Sequence, residues 1–121
     1  MATVELTNDN FDQVTSSGLV LVDFWAAWCG PCQWFAQVFE RAAQRHGDIV
    51  FAKVDTEAQP ELAASFGIMS IPTLMVVRDK IVLYAQPGAL PEPALEELIA
   101  KAKALNMEEV RRSVSQRAAS A

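Results

Sequence analysis

Leu19-Val20-Leu21-Val22-Asp23-Phe24-Trp25-Ala26-Ala27-Trp28-Cys29-Gly30-Pro31-Cys32 is the stretch whose reading decides the fold. Its first seven residues are a near-continuous β-prone run, the pattern of a strand covered on both faces. Its end carries the only two cysteines of the chain, three positions apart. Pro31 fits the first turn of a helix, where a missing N–H costs nothing. Phe35, Val38, Phe39 and Ala42 then recur at i, i+3, i+4 and i+7, which predicts an amphipathic helix over about 31–45. A Cys-x-x-Cys is thus placed at a strand-to-helix junction, where a dithiol can open and close.

Working outward, the 121 residues suit one domain with a real core. A hydrophobic share of 51% with 21% charged residues fits a folded globule rather than a disordered chain. The net charge is −5 and no run of Lys or Arg reaches three, which argues against a nucleic-acid partner. No apolar run approaches the roughly 18 residues of a membrane span. Met1-Ala2-Thr3-Val4-Glu5 lacks a basic segment followed by an apolar one, so no secretory signal is read there. A cytoplasmic protein is the expectation, and one close cysteine pair in that compartment points to working thiols more than to a staple.

Val4 to Leu6 reads as a short strand. Thr7 offers a hydroxyl N-cap to a short helix with Phe11 and Val14 as its apolar positions. Ile49 to Asp55 is a strand, and Pro60 opens a short helix stopped by Gly67. Thr73 to Val77 and Ile81 to Tyr84 are strands joined by Arg78-Asp79-Lys80, with Pro87-Gly88 as a turn. Leu95, Leu98, Ile99 and Ala102 predict a last helix over about 92–104. The order is βαβαβαββα, with parallel early strands and an antiparallel edge pair. Residues 1–104 carry 7 Lys and Arg against 13 Asp and Glu, a net of −6, whereas residues 105–121 carry a net of +1. We therefore divide the chain into a domain, 1–104, and a C-terminal extension, 105–121, helical or disordered. In the extension Met107, Val110 and Val114 make a thin apolar stripe.

Three positions apart at a helix start, Cys29 and Cys32 lie close enough to bond with little backbone movement. Free N–H groups and the positive end of the helix dipole favour the Cys29 thiolate, which makes Cys29 the nucleophile. Cys32, further into the helix, is the more shielded resolving thiol. Gly30 keeps the approach open. Asp23 interrupts a run in which every neighbour is apolar. It is either an exposed edge or bulge residue, or a buried acid/base that takes the Cys32 proton. Lys53 is the one cation in the next strand and, if the strands are neighbours in register, would temper Asp23. Pro72 by default fills a turn before its strand. In the cis form facing the dithiol, it would leave the Ile71 backbone to pair with an extended substrate.

These residues together resemble the thioredoxin family. The carriers are Val22 to Cys32, Ala52-Lys53-Val54-Asp55, Gly67-Ile68-Met69-Ser70-Ile71-Pro72-Thr73-Leu74 and Gly88-Ala89-Leu90, over about residues 4–104. The resemblance implies an α/β thioredoxin fold: a central mixed sheet of three parallel-type strands plus an antiparallel edge pair, flanked by four helices. It implies a cis peptide before Pro72 and a protein-disulfide reductase that cycles Cys29 and Cys32. Trp28, Gly30, Pro31, Ile71, Pro72, Gly88 and Ala89 would form a flat apolar surface for disulfide-containing protein substrates. Electrons would come from a flavin-dependent thioredoxin reductase using NADPH, to a monomer that holds no prosthetic group itself.

Gln33 departs from the family's usual Lys or Arg, and Gln37 from its usual helix-kinking proline. Arg78-Asp79-Lys80 lacks the glycine common in that hairpin. Trp34 either packs on the core or the last helix, or widens the apolar face beside Cys32. Competing functions are a redox-switched binding or holdase module using that face and the extension, and a specialised oxidant or isomerase. The Gly30-Pro31 dipeptide resembles the reducing branch. A zinc site of Cys29, Cys32 and the single His46 is disfavoured, because it supplies three ligands and places His46 about four helical turns away.

Overall fold

The computed structural model describes residues 2–120. The elements are β1 (Thr3–Glu5), α1 (Phe11–Val14), β2 (Leu19–Trp25), α2 (Gly30–Arg45), β3 (Val50–Asp55), α3 (Pro60–Ser65), β4 (Thr73–Arg78), β5 (Ile81–Pro87), α4 (Glu92–Ala104) and α5 (Met107–Ser120). The sheet has five strands in the order β1-β3-β2-β4-β5. β1 and β2 run parallel to β3 on either side of it, while β4 is antiparallel to both β2 and β5. This is the mixed sheet expected from alternating strands and helices followed by a hairpin. β2 lies at its centre, which is why its sequence is apolar almost without interruption.

The alternation of β2 divides the core. Leu21, with Phe51, Leu74 and Val76, packs against Phe35, Val38, Phe39 and Ala42 of α2 and Leu95 and Ile99 of α4. Val20, Val22 and Phe24 pack on the other face with Leu6, Leu62 and Ala63. Burying each large side chain contributes roughly 2 kcal/mol. The predicted stripe of α2 is therefore what fixes that helix across the sheet. At its far end Arg45 pairs with Glu92 at 2.8 Å and with Glu96 at 2.7 Å, and His46 Nε2 sits 2.7 Å from Glu96 Oε1. These are solvent-screened pairs of small energy that link α2 to α4.

Three local readings change. β1 lies one residue earlier than predicted, although the Leu6 N–H still donates to Lys53 O at 2.8 Å and its side chain is fully buried. Thr7 is not the N-cap of α1, a place taken by Asn10. The Thr7 hydroxyl instead accepts the N–H groups of Asp9 and Asn10 at 3.2 and 3.3 Å, which closes a turn before the helix begins. β5 continues through Pro87 on the sheet edge, where a proline costs no ladder hydrogen bond.

Arg78 joins α4 to α5. Its Nη1 donates to the carbonyls of Ala102, Lys103 and Leu105 at 2.9, 3.2 and 3.1 Å. Those are carbonyls that a helix end leaves without internal partners. Asn106 Oδ1 accepts the Glu109 N–H at 3.2 Å and starts α5. Met107 is buried beneath this joint, and Val110 is partly covered.

The β4–β5 hairpin turns through Asp79 and Lys80 at φ 52° and 70°. Positive φ at both central residues is the geometry for which Asn-Gly and Asp-Gly are preferred. Asp79 has its own compensation: its N–H donates to Gly18 O at 3.0 Å and its Oδ1 accepts the Gly18 N–H at 3.2 Å. Lys80 is exposed and makes no such bond in exchange for its strain. Lys80→Gly should therefore raise stability by about 0.5–1 kcal/mol, or a few degrees in Tm. A thermal melt with an unchanged or lower Tm would contradict this account of the turn.

Candidate active site

The C-terminal end of β2, the start of β4 and the end of β5 meet at one edge of the molecule. Cys29 is the N-cap of α2, in an extended conformation at φ −89° and ψ 113°. Its Sγ accepts the Cys32 N–H at 3.2 Å. Gly30 and Pro31 fill the first positions of the helix, so the proline's missing donor leaves nothing unpaired. Cys29 and Cys32 are joined by a disulfide, with their Cα atoms 5.2 Å apart. Cys29 is 5% exposed and Cys32 1%, so both are buried and Cys29 is the less enclosed of the two. A partner must lie against the rim to reach it. Gln33 Nε2 donates to Ala27 O at 2.9 Å, which ties the loop before the disulfide to the helix after it.

Other loops complete the rim. The Ile71–Pro72 peptide is cis, and the Ile71 carbonyl oxygen lies 3.8 Å from Cys29 Sγ. The Gly88 N–H donates to Pro72 O at 2.8 Å, at a φ of 115° that only glycine adopts readily. Ala89 follows, partly buried against the core. Trp28 is 71% exposed, with its indole N–H donated to Glu57 Oε1 at 2.8 Å. Trp28, Met69 and Ile71 line a shallow groove of about 410 Å³ beside the disulfide. A Cβ at Gly30 would meet nothing within 4 Å, so the glycine answers no packing need inside the chain and leaves the rim low. Trp34 is 50% exposed and belongs to neither core cluster, so it is a surface residue of α2 rather than a core one.

Asp23 is fully buried, and neither carboxylate oxygen has a hydrogen-bond partner among the described residues. By strand alternation it faces α2, on the same side as Leu21. The edge-or-bulge reading is excluded by its place in the central strand, paired with Lys53 on one side and Leu74 on the other. Desolvation pushes its pKa up from 3.8 to about 7, against the opposing pull of the Lys53 charge. Lys53 Nζ itself sits over the Trp25 ring, 4.8 Å from its centroid. The structure thus brings Cys29, Cys32, Trp28, Gly30, Pro31, Ile71, Pro72 and Gly88 to one rim, with Asp23 and Lys53 in the sheet beneath α2. His46 lies at the opposite end of α2.

Sequence reasoning missed Glu57. An acid shortly after a strand carries no pattern of its own, and its role depends on where Trp28 falls in space. The hydrogen bond of Gln33 was equally hidden, although the residue stood out as a departure.

A titrating carboxylate in this position has a sign. With a folded pKa near 7 and an ordinary value of 3.8, the folded protein holds a proton that the unfolded chain has already released between those values. Stability therefore falls as pH rises from about 4 to 7 and stays reduced above, by at most about 4 kcal/mol. Asp23→Ala should be more stable than the parent at pH 8 by a few kcal/mol, with the gain shrinking towards zero or reversing near pH 4. Urea unfolding at the two pH values tests this. An equal gain at both, or a loss at pH 8, would remove the buried charge from the account.

The family model described as Thioredoxin matches residues 2–101. The chain is 60% identical over 121 residues to "Putative thioredoxin 2" of Streptomyces coelicolor, covering 99% of this chain and 90% of that protein. It is 45% identical over 102 residues to "Thioredoxin" of Bacillus subtilis, covering 84% of this chain and 98% of that one. Among solved structures, a mutant thioredoxin from Halobacterium salinarum superposes with a TM-score of 0.80 at 34% identity, covering 86% of this chain and 93% of the other.

Proposed function

The chain belongs to the thioredoxin family, and on that premise we propose that it reduces protein disulfides, with a defined task for each residue of the site. It is a thiol-disulfide oxidoreductase whose redox-active pair is Cys29–Cys32. The observation that carries the finer reading is the arrangement at the start of α2: an N-cap sulfur on the less enclosed cysteine, a second sulfur on the more enclosed one, and a half-titrated carboxylate in the sheet below.

In the reduced protein the Cys29 thiolate attacks one sulfur of the substrate disulfide. A Cys29–substrate disulfide forms, and the other substrate sulfur leaves as a thiolate. Asp23 accepts the Cys32 proton, and the Cys32 thiolate attacks Cys29 Sγ. The Cys29–Cys32 disulfide forms, and the second substrate sulfur leaves and takes up a proton. Two electrons have moved from the protein dithiol to the substrate. A carboxyl near pKa 7 suits a group that must both accept and return a proton at neutral pH. Lys53 keeps that value from rising further.

Trp28, Gly30, Pro31, Ile71, Pro72, Gly88 and Ala89 form the surface against which the substrate lies. The Ile71 backbone, next to Cys29, is the edge offered to an extended substrate segment. The disulfide is then reduced by a flavin-dependent thioredoxin reductase using NADPH, with the protein acting as a monomer in the cytoplasm. Among the described residues no helix is long and apolar enough to cross a membrane. Residues 1–104 make up the thioredoxin domain, and 105–121 are an appended segment largely occupied by α5. A redox-switched holdase has no observation in its favour over this reading.

The test is insulin reduction with dithiothreitol as electron source. Cys29→Ser should abolish turnover above background, while Cys32→Ser should accumulate a covalent complex with the substrate linked through Cys29, read by non-reducing mass spectrometry. A complex linked through Cys32, or Cys29→Ser turning over at the parent rate, would overturn the assignment.

A further inference from the structure

Trp34 has no part in the chemistry above. It is the fifth residue of α2, whose buried positions Cys32, Phe35, Val38, Phe39, Ala42 and Ala43 define the stripe facing the sheet. At about 100° per residue, Trp34 points off the flank of that stripe, between the directions of Gly30 and Pro31. Residues three and four apart on a helix are neighbours at about 5–6 Å, and a long helical side chain leans over the turn N-terminal to its own Cα. Trp34 therefore sits one helical turn past Gly30 and Pro31, on the same side of α2. Gly30 presents no side chain there, and the space where its Cβ would stand is open for 4 Å around.

Isolated surface apolar residues need no explanation. Here, however, the three most exposed large ones are Trp28 at 71%, Met69 at 95% and Trp34 at 50%. All three lie on the segments that frame the disulfide. The other exposed large hydrophobics, Val4, Val82, Leu105 and Val114, are aliphatic and lie elsewhere. Trp28, Met69 and Ile71 line one groove, and Trp34 lies one helical turn past Gly30–Pro31. The recessed Cys29 obliges a partner to press on this rim, so a disulfide held in a folded protein surface covers the Gly30–Pro31 turn as it reacts. A small disulfide can reach the sulfur without spanning to Trp34.

We infer that Trp34 is a specificity-determining residue for the dithiol: its indole buries an apolar side chain of the protein that carries the substrate disulfide, and so favours protein disulfides over small ones. This rests on the reductase reading. The occupant is the disulfide-bearing protein because Trp34 lies one helical turn from the reacting cysteines, and because Gln33, the residue between Cys32 and Trp34, is neutral and engaged with Ala27 O. Trp is the residue type that contributes most at such contacts, through large area with little rotamer freedom to lose.

The experiment compares steady-state kinetics of the parent, Trp34→Ala and Trp34→Phe on insulin and on a small non-peptide aromatic disulfide. Trp34→Ala should raise KM for insulin about five- to tenfold, with kcat changed less than about twofold. Its rate on the small disulfide should move by less than that same factor. Trp34→Phe should recover most of the insulin KM. Unchanged insulin kinetics in Trp34→Ala, or equal losses on both disulfides, would overturn the inference. Parent protein that reduced neither disulfide would instead overturn the reductase reading beneath it.

Discussion

The structure depends on one constraint: helix α2 must begin at Cys29. A helix start leaves its first N–H groups without internal partners, and here one of them, from Cys32, points at the Cys29 sulfur at 3.2 Å. The same geometry that caps the helix stabilises negative charge on the sulfur. Everything that locates this point is structural. Phe35, Val38, Phe39 and Ala42 anchor the helix across the sheet. Gly30 and Pro31 supply a first turn that lacks only a donor it does not need, and Gln33 ties the preceding loop to the helix. Stability and reactivity share one joint.

Asp23 shows the opposite relation. A carboxylate without hydrogen-bond partners in the central strand opposes folding above neutral pH, and the chain tolerates it under a helix whose apolar face contributes far more. The charge of Lys53, one strand away in register, limits the penalty without forming a close ion pair. A closer pair would lower the pKa of Asp23 towards ordinary values and take away its ability to exchange a proton at pH 7.

Much of this was legible in the residues because β2 and α2 have strong, different periods. The continuous run Leu19–Trp25 could only be a covered strand, and the i, i+3, i+4 stripe after it could only be a helix laid across it. The position of the dithiol followed. Register did not: nothing in the sequence shows that Asp23 faces Lys53, since pairing is set by the whole sheet. Short-range signals failed where two residues competed for one role. Thr7 lost the α1 cap to Asn10 because its hydroxyl was engaged in the preceding turn. The Asn106 cap of α5, with Glu109 three residues on, is a signal legible in the residues themselves. Glu57 and Arg78 act across the fold, on Trp28 and on the end of α4, and no local pattern announces such partners. Periodicity alone places Trp34 on the flank of its helix, where only the packed structure shows how far a neighbour covers it.

The central claim is an inequality between two sulfurs in one turn. Timed alkylation of the reduced protein by iodoacetamide at pH 7, with the sites located by mass spectrometry, measures it directly. The account predicts that Cys29 is modified first and at least about tenfold faster, because it has the helix-capping, thiolate-favouring position and is the less enclosed of the two. Equal rates, or Cys32 modified first, would contradict it.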